Sequence, residues 1–506
     1  SSPFEAQSHT PHCPSTPSSM LDSEPSSCLY LAVLSCLVSP LLFGFSLGFT
    51  SPAQDTMRGH LSPSPPDDLI VFINGSETQA SIFASIITVG AMLGALGAAR
   101  LSDRLGRKMT LGLSAAPFFC AYSGLWWFSD WILLTACRFL MGVSVGAGSA
   151  VAPTYIGEVS TPGLRGGLGA ANQLSITIGI LLANVLGAYV FASGGACEWR
   201  HLSLCGAVAA LVLTTTVLIP ESPTFLMKKG RVQDAKVALN KLRRTAEQAQ
   251  AEHTQLAAGC TSDAGSAGVS AAMPARVSIF DPCYRRVLIA GLGILVFQQL
   301  NGANAIIFYT EAICRSAGMG DKAKLSTLGI TIMQVLFTGV SCLVMDKLDR
   351  RVWLLIACLL MAPSLFIISL YYWSQKHEGL DLPAEIAVIA IVVYIVGFSL
   401  GWGPIPWLVQ PELFPAEVRG QGTSIAVMCN WASAFAVTLG FQPLSSALGS
   451  DATFFVLGAI CCVSASFVAC YLPETRGKTA EAVMMEMSQR GRRPARADAC
   501  DVALNG

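Results

Sequence analysis

Charged residues are scarce in this sequence. Asp, Glu, Lys and Arg together make up only 13% of its 506 residues, against about 25% in soluble domains. Hydrophobic residues make up 52%, and the mean hydropathy is +0.54. The formal net charge is zero, so the composition implies neither a nucleic-acid partner nor an acidic one. A chain with so few charges is expected to be an integral membrane protein.

Residues for metal binding or catalysis are also missing in the patterns that such sites need. The 17 cysteines include no C-x-x-C pair and have no metal-ligand spacing to histidine, so they are expected to be buried and inert. The six histidines stand at positions 9, 12, 60, 201, 253 and 377, in predicted tails, loops or a span end. We therefore expect no metal, no cofactor and no enzymatic activity.

What the sequence does contain is a series of apolar runs of about 20 residues, the length that crosses a bilayer as a helix. Twelve spans are predicted, near 29–51, 79–99, 109–129, 132–153, 168–193, 200–219, 287–309, 325–346, 352–373, 385–410, 420–444 and 452–472. The predicted fold class is therefore an all-α membrane protein.

Basic residues are distributed unevenly over the predicted loops. If both termini lie on one side, that side holds 25 of the 32 Lys and Arg residues. Because positively charged loops stay in the cytoplasm, both termini are predicted to be cytoplasmic. The sequon at Asn74 then falls between spans 1 and 2 on the opposite face, where it is predicted to be glycosylated.

Polar stretches divide the chain into five predicted segments. They are a disordered cytoplasmic tail (1–28), a six-helix half (29–220), a cytoplasmic linker (221–286), a second six-helix half (287–472) and a cytoplasmic C-terminal tail (473–506). Within the linker, 234–253 is predicted to form one exposed helix and 259–275 a flexible connection.

The two halves repeat three motifs in the same order. The pairs are DRLGRK (103–108) with DKLDRR (346–351), Glu158 with Glu412, and PESP (220–223) with PETR (473–476). The offsets within these pairs are 243, 254 and 253 residues. So constant an offset indicates internal duplication of a six-helix unit, an arrangement that suits alternating access.

Neutral amides lie in the middle of several predicted spans: Gln173, Gln298, Gln299, Asn304, Gln334 and Asn430. A charge at the bilayer centre costs at least about 2.5–3.5 kcal/mol, whereas an amide donates and accepts hydrogen bonds without charge. Each sugar hydroxyl buried without a partner costs about 1–3 kcal/mol, so a cavity lined by amides suits a neutral sugar. The alternative is that these amides only join helices, at about 0.6–2 kcal/mol each.

The segment GWGPIPW at 401–407 interrupts an apolar span with two glycines and two prolines. Pro404 and Pro406 each disfavour a helix interior by roughly 3 kcal/mol or more. Such breaks are tolerated where the freed backbone lines a cavity. The span is predicted to bend here, with Trp407 lying on a sugar ring; the alternative is a static kink with a tryptophan that only packs.

Charges of both signs cluster at the predicted cytoplasmic ends of the spans in each half. They are Asp103, Arg104, Arg107, Glu158, Arg165, Glu221, Asp346, Arg350, Arg351, Glu412, Arg419 and Glu474. Exposed ion pairs contribute only about 0–1 kcal/mol each, so this ring suits a latch that forms and breaks during a transport cycle. Alternatively, single charges of the ring only anchor helix ends at the membrane surface.

These motifs resemble those of the sugar porter family of the major facilitator superfamily, and within it the facilitative hexose transporters. The resemblance runs from about residue 40 to 478 and rests on DRLGRK, GEVSTPGLRG, NQLSITIGI, PESP, QQLNGANAIIFY, GWGPIPW with ELFPAEVRG, NW at 430–431, and PETRGKT. It implies twelve helices in two pseudo-symmetric halves that move a small neutral sugar by alternating access. It also implies a functional monomer among membrane lipids. FGFSLGFTSPA and GWGPIPWL are similar to the branch of hexose facilitators that often works on internal membranes, but the plasma membrane is the expected location.

The resemblance further implies roles for single residues. The family positions matched by Gln173, Gln298, Gln299, Asn304, Trp407 and Asn430 contact sugar, and the one matched by Gln334 often does. Phe308 and Tyr309, with Pro404 and Pro406, resemble the family's external gate, and Phe43 resembles a second aromatic wall.

Four positions depart from the family pattern. Ser399 replaces a Glu that the hexose facilitators often carry, and Ala434 replaces a polar residue, so the sugar preference is expected to differ. Asp349 replaces a Gly and Thr224 an Arg, so the latch of the second half is expected to be weaker.

The sequence also bears on energy coupling. Proton-coupled relatives carry an Asp three residues after the position matched by Phe43, and this chain has Ser46 there. We find no unpaired carboxylate in the middle of the spans, since Glu311 lies near the outer end of span 7. Proton coupling needs a titratable group within the membrane. Downhill uniport of a hexose such as glucose or fructose is therefore predicted; a proton-coupled sugar or polyol symporter and a non-transporting sugar sensor are the alternatives.

Overall fold

A computed structural model describes residues 25–57, 77–161, 163–187, 198–265, 278–345, 347–377, 382–415, 417–478 and 480–489. The helices of the first half are α1 Ser27–Gly48, α2 Thr50–Met57, α3 Glu77–Leu105, α4 Arg107–Trp127, α5 Trp131–Val159, α6 Arg165–Val185 and α7 Glu198–Leu213. Three helices follow: α8 Pro223–Lys228, α9 Val232–Leu242 and α10 Ala246–Gly265. The rest are α11 Arg285–Leu300, α12 Ala303–Cys314, α13 Ala323–Val344, α14 Arg350–Ser374, α15 Ala384–Gly397, α16 Ile405–Leu413, α17 Arg419–Leu448, α18 Ser450–Tyr471 and α19 Ala480–Gln489.

The predicted membrane-spanning helices are confirmed. Eleven helical segments of the described residues are long and apolar enough to cross a bilayer. The twelfth, α4, is 21 residues long, covers the third predicted span and packs against α5 and α7. Most spans extend a few residues beyond their predicted ends, because polar and charged residues at the membrane surface continue the helices. Span 6 is completed by a 3₁₀ turn at Thr214–Leu218.

Two spans of the second half are broken. Span 7 consists of α11 and α12, which meet at Gly302 with φ +90°, a left-handed conformation that glycine adopts readily. Span 10 consists of α15, a π-helical turn at Phe398–Trp402, and α16. The amide of Gly403 donates to the carbonyl of Phe398 at 2.7 Å, and Pro404, which follows, has no amide hydrogen to continue the ladder. The predicted break is therefore present.

Small residues let the helices of the first half approach closely. A Cβ at Gly44 of α1 would stand 1.8 Å from the carbonyl oxygen of Ile176 on α6. A Cβ at Gly142 of α5 would stand 2.1 Å from the carbonyl oxygen of Ile87 on α3. Between the halves, α3 packs against α17 and α6 against α13. Backbone contact through small residues is the usual way to join helices in lipid, where no hydrophobic effect drives them together.

The insert between the halves differs from the prediction. Instead of one exposed helix over 234–253 there are two, α9 and α10, and the predicted flexible connection begins inside α10. Helix α9 ends before Arg243, whose side chain is only 4% exposed. Arg243 donates to both carboxylate oxygens of Glu252, at 2.6 and 2.8 Å, and to the carbonyl of Val159 at 2.8 Å. A tertiary contact with the end of α5 thus overrides the local helical pattern.

Neutralising Glu252 should release this insert. Removing one partner of a buried pair leaves an unpaired charge, which costs about 3–5 kcal/mol when burial is complete. Because Glu252 is 29% exposed, we expect a smaller, local effect. In hydrogen exchange, Glu252→Gln should speed exchange in α9 and α10 by at least tenfold and leave α3 unchanged. The exposed pair Arg231 and Asp234 provides the control, since Asp234→Asn should alter neither.

Candidate functional site

Four of the predicted amides form one chain of hydrogen bonds within span 7 and between spans 7 and 11. We call Gln298, Gln299, Asn304 and Asn430 the amide cluster. Asn304 donates to Gln299 at 2.7 Å, Gln299 to Asn430 at 3.1 Å, and Asn430 to Gln298 at 3.0 Å. Each member is at most 9% exposed. Such a chain fixes which oxygens and amino groups remain for a ligand.

Gln298 connects the amide cluster to the backbone of span 10 at the point where that span is broken. The amide nitrogen of Gln298 donates to the carbonyls of Trp402, at 2.8 Å, and Gly403, at 3.0 Å. Both carbonyls lie just before α16, and Pro406 has no amide hydrogen to donate to the carbonyl of Trp402. Asn430 also donates to the carbonyl of Leu295 at 2.7 Å. The broken spans and the buried amides are therefore parts of one structure.

Ser399 lies inside the π-helical turn. Its hydroxyl oxygen is enclosed and has no hydrogen-bond partner among the described residues. An unpaired buried hydroxyl is rare, since burial without a partner costs about 1–3 kcal/mol. π-helical turns occur often at functional sites. Ser399 thus offers a donor and an acceptor beside the amide cluster's attachment to Trp402.

Residues of the first half face this region. A Cβ at Gly403 would stand 3.6 Å from the amide nitrogen of the half-buried Gln173. The ring of Phe43 lies 5.4 Å from that of Trp431, whose indole nitrogen donates to Ser149 at 3.4 Å. Two further predicted residues lie apart from the cluster's hydrogen bonds. Gln334 is buried on α13 without such a bond to the cluster, and Trp407 is half-buried against the core.

The predicted external gate is an aromatic stack. Phe308 and Tyr309 are 2% and 3% exposed. The ring of Tyr309 stacks on Phe441 with centroids 5.5 Å apart and planes 13° apart, and its hydroxyl donates to the carbonyl of Thr438 at 3.5 Å. Pro404 and Pro406, the other predicted gate residues, are both buried at the start of α16.

Sequence reasoning missed three of these partners: Trp431, Phe441 and Ser149. The sequence contained a signal for Trp431 and Phe441. One face of α17 carries residues at helical spacing, namely Asn430, Ala434, Thr438 and Phe441, and Trp431 lies next to that face. Ser149 is one of many small residues in α5, and nothing in its local sequence separates it from the rest.

The predicted ionic ring occupies one end of the bundle, which we call the charged end and define by Arg107, Glu158, Arg350 and Glu412. In the first half, Arg107 makes two hydrogen bonds to Glu158, at 3.0 and 3.1 Å, and lies 3.6 Å from Asp103. Glu221 accepts from the backbone amides of Arg107 and Lys108, at 3.0 and 3.3 Å. Arg104 is exposed.

The second half repeats this arrangement more loosely. Arg350 lies 3.8 Å from Glu412, which also accepts from the hydroxyl of Thr475 at 2.6 Å. Glu474 accepts from the backbone amides of Arg350 and Arg351, at 3.0 and 3.1 Å. Asp349, the residue that departs from the family pattern, lies 3.7 Å from Arg476.

The pairs described at the charged end each join residues of one half. Arg351 donates to the carbonyl of Ala469 at 2.6 Å, and Arg419 to that of Phe414 at 3.1 Å. The side chain of Arg165 and all of Asp346 lie outside the described residues, as does the predicted glycosylation site Asn74.

A buried arginine in α5 was not predicted to matter. Arg138 is fully buried and donates to the carbonyl of Ser46 at 2.9 Å and to the hydroxyl of Thr50 at 2.6 Å. Its guanidinium lies over the rings of Phe83 and Phe49, at 5.2 and 5.8 Å. Within the described residues it forms no ion pair with a carboxylate. The signal was its position inside a predicted span, where arginine is rare.

Outside the spans, one titratable contact joins the linker to the second half. The hydroxyl of Tyr284 donates to Glu417 at 3.1 Å. Burial, with the charge of Glu417 beside it, raises the pKa of Tyr284 to about 12. The phenol therefore remains protonated and able to donate near neutral pH.

Comparison with known proteins is consistent across sequence and structure. The profile of the family described as sugar (and other) transporter matches residues 31–486. The mouse protein named solute carrier family 2, facilitated glucose transporter member 8, is 34% identical over 91% of this chain and 95% of its own length. The Arabidopsis thaliana sugar transporter ERD6-like 6 is 33% identical over 89% of each chain. Among solved structures, the proton:xylose symporter XylE of E. coli, of the major facilitator superfamily, superimposes with a TM-score of 0.75 at 22% identity, over 91% of this chain and 99% of that one.

Proposed function

Because this chain belongs to the sugar (and other) transporter family, whose members carry substrates rather than catalyse reactions, we propose that it carries a hexose such as glucose down its concentration gradient. The amide cluster supports this proposal most directly. It places four neutral donor and acceptor groups, each at most 9% exposed, against a broken transmembrane helix. A neutral sugar needs both kinds of group and would gain nothing from a buried charge.

The proposed binding site extends across both halves. The amide cluster and Gln334 would hold hydroxyls from the second half, and Gln173 and Phe43 would contact the sugar from the first. Trp407 would lie on one face of the ring. Ser399, with its unpaired hydroxyl, would contribute where many facilitators have a carboxylate. Because Ser399 and Ala434 depart from the family pattern, the sugar preference would differ from that of the hexose facilitators.

The proposed cycle is alternating access between the two halves. Tyr309 and Phe441 would close the end of the bundle opposite the charged end. The ion pairs of the charged end would form when the carrier faces outward and break as the halves rock about the site. Because span 10 is broken at Gly403 and Pro404, α16 could move separately from α15.

We propose uniport rather than proton coupling because of Ser46. In this chain the position that carries an Asp in proton-coupled relatives offers Arg138 only a carbonyl and no carboxylate. The hydroxyl of Ser46 lies 2.8 Å from that of Tyr122. Neither group takes up and releases a proton in the physiological range, which coupling requires. The alternative is a proton-coupled sugar symporter. Uptake measured with and without a proton gradient distinguishes uniport from symport.

The test is uptake of radiolabelled glucose into liposomes that contain the purified protein, with and without an inward proton gradient. Uptake should reach equal concentrations inside and outside in both cases. Excess unlabelled fructose, galactose, trehalose and xylitol, added separately, would rank the substrates. Accumulation above the external concentration, driven by the gradient, would contradict uniport; absence of any saturable sugar uptake would contradict the function itself.

Placing a carboxylate at Ser46 should make transport depend on pH. An Asp there would place a carboxyl at a fully buried position of span 1, where burial favours its neutral form and the guanidinium of Arg138 favours its charged form, so both forms would be accessible. We expect Ser46→Asp to change the initial rate at least fivefold between pH 5.5 and 7.5, and Ser46→Asn to change it less than twofold. The measurement is initial glucose uptake in liposomes with equal pH on both sides. A flat profile for the Asp variant would contradict this explanation of uniport.

We also propose the cellular arrangement predicted from the sequence. Both termini and the insert would be cytoplasmic, Asn74 would be glycosylated on the opposite side, and the plasma membrane is favoured. The boundaries at 28, 220, 286 and 472 would separate tails, halves and linker. The protein would function as a monomer surrounded by membrane lipids.

A further inference from the structure

A groove runs between α14 and α18 at the end of the bundle opposite the charged end. Its volume is about 560 Å³. Its walls are apolar and rich in aromatic rings, with Phe366, Leu370, Trp373, Ala452, Phe455 and Val456 among them. The groove belongs neither to the amide cluster nor to the gate, and the proposed transport cycle does not use it.

The groove opens sideways from the membrane-spanning helices. Leu370 and Trp373 of α14 are 47% and 45% exposed, and Phe455 of α18 is 58% exposed. On a helix that crosses a bilayer, such apolar exposure faces lipid rather than water. The walls therefore suit the acyl chain of a lipid.

One rim of the groove carries an ion pair. Lys376, just beyond the end of α14, pairs with Asp451 in the first turn of α18. The hydroxyl of Ser369 donates to the backbone carbonyl of Asp451 at 2.7 Å, which ties the two helices together. Gly449, with φ +91°, leaves space for the pair, because a Cβ there would overlap both charged groups.

An aromatic pair marks the same rim. The ring of Trp373 stacks on that of His377, with centroids 4.5 Å apart and planes 17° apart. Tryptophan is enriched at the level of lipid headgroups, where its ring contacts apolar chains and its nitrogen contacts water. The apolar walls and the charged rim thus lie at the depths of an acyl chain and a headgroup.

We propose that this groove binds one molecule of phosphatidylethanolamine. Its rim carries one positive and one negative group, the complement of a headgroup with one phosphate and one ammonium. A lysine has three donors, and a carboxylate accepts at about four positions, so both have capacity beyond their own pair. The phosphate binds Lys376, the primary ammonium binds Asp451, and an acyl chain lies between Phe366 and Phe455.

The headgroup requirement separates this lipid from its neighbours in the membrane. Phosphatidylcholine has the same charges, but its quaternary ammonium has no hydrogen to donate to Asp451. Phosphatidylglycerol has the phosphate but no ammonium, so its net charge is unfavourable beside the carboxylate. A sterol would fill the groove but has no charged group for either rim residue.

The experiment is native mass spectrometry of the purified full chain, titrated with dioleoyl lipids of the three headgroups and with cholesterol. We expect one site at which phosphatidylethanolamine binds at least tenfold more tightly than the others. Asp451→Asn should abolish its advantage over phosphatidylcholine, and Lys376→Gln should weaken all three phospholipids. Equal affinities for the three headgroups, or tight binding of cholesterol alone, would overturn the proposal.

A second variant tests the groove without touching the ion pair. Val456 is 40% exposed on the lipid side of α18, so Val456→Trp should fill the groove and leave the fold intact. The matched control is Val463→Trp, two turns along the same helix and 56% exposed. We expect loss of the tight site in the first variant only. Retention in both, with an unchanged melting temperature, would also overturn the proposal.

Discussion

Replacing Gln298 with leucine is expected to reduce hexose uptake severely. Gln298 joins Asn430 to the carbonyls of Trp402 and Gly403, so the change removes three hydrogen bonds and leaves buried partners unpaired. Losing such bonds and orphaning a buried polar group costs about 2–4 kcal/mol. If that loss falls on the sugar complex, kcat/KM should fall roughly 30- to 1,000-fold.

The same substitution also tests whether the amides serve only to join helices. Asn184 of α6 is a comparable buried amide, 8% exposed, whose amino group donates to the carbonyl of Ile180 within its own helix. We expect Asn184→Leu to change kcat/KM by less than threefold. The two variants should be compared by initial uptake rates in liposomes and by thermal unfolding in detergent.

The melting temperatures of the variants distinguish a cluster that binds sugar from one that only joins helices. If glucose raises the melting temperature of the wild-type protein and of Asn184→Leu but not of Gln298→Leu, the cluster binds sugar. If Gln298→Leu melts much lower than the wild type and yet transports at a normal rate per folded molecule, its amide serves only to join helices. Asn304→Leu provides a check at the other end of the chain of hydrogen bonds, where a smaller loss is expected.

The fold was largely predictable because a bilayer limits what a chain can do. A segment in lipid must satisfy its own backbone, so runs of about 20 apolar residues become helices whatever their neighbours are. The break in span 10 was predictable for the same local reason, since Pro404 supplies no amide hydrogen. The break in the insert was not predictable. Local pattern favours a continuous helix through Arg243, whereas in the structure Arg243 pairs with Glu252, nine residues on, and donates to the carbonyl of Val159, which is distant in sequence.

The candidate site was predictable in its members but not in its connections. Buried amides in apolar spans are conspicuous, and four of them lie together as one cluster. Their partners depend on how each helix is rotated about its axis, which a sequence pattern defines only to within a face. For that reason Trp431 and Phe441 were missed, although they accompany Asn430 on α17. The environment of Arg138 was missed because its partners are a backbone carbonyl, a hydroxyl and two aromatic rings. Groups of these kinds are common in the spans, so the sequence does not indicate which of them contact an arginine.

The duplicated charged end yields the second large prediction, because its two copies differ in geometry. The Arg107–Glu158 pair in the first half is bidentate, with bonds of 3.0 and 3.1 Å, whereas Arg350 and Glu412 in the second half approach each other to 3.8 Å. Bidentate bonds between arginine and carboxylate are the stronger kind. Glu158→Gln should therefore disturb transport more than Glu412→Gln does. We expect reductions of the initial uptake rate of about 10- to 100-fold and less than tenfold, respectively.

A change of rate alone does not identify a latch. An ion pair that persists in every state of the cycle contributes to stability, whereas one that differs between states shifts their populations. For a uniporter, such a shift appears as a change in the ratio of the KM for entry to the KM for exit. We expect Glu158→Gln to alter this ratio at least fivefold. Equal changes in both KM values, with a lower melting temperature, would make the pair purely structural.

Exchanging the two charges completes the test. In the double variant Arg107→Glu with Glu158→Arg, the pair is reversed, while Glu221 still accepts from the backbone amides at 107 and 108. Rescue should be partial, because Arg107 also donates to the carbonyl of Ser102 and lies over the ring of Phe225, contacts that a glutamate does not make. Recovery to between one tenth and one half of the wild-type rate fits direct pairing. Additive losses in the double variant would mean that the two residues act independently, and that the repeated charges only anchor helix ends.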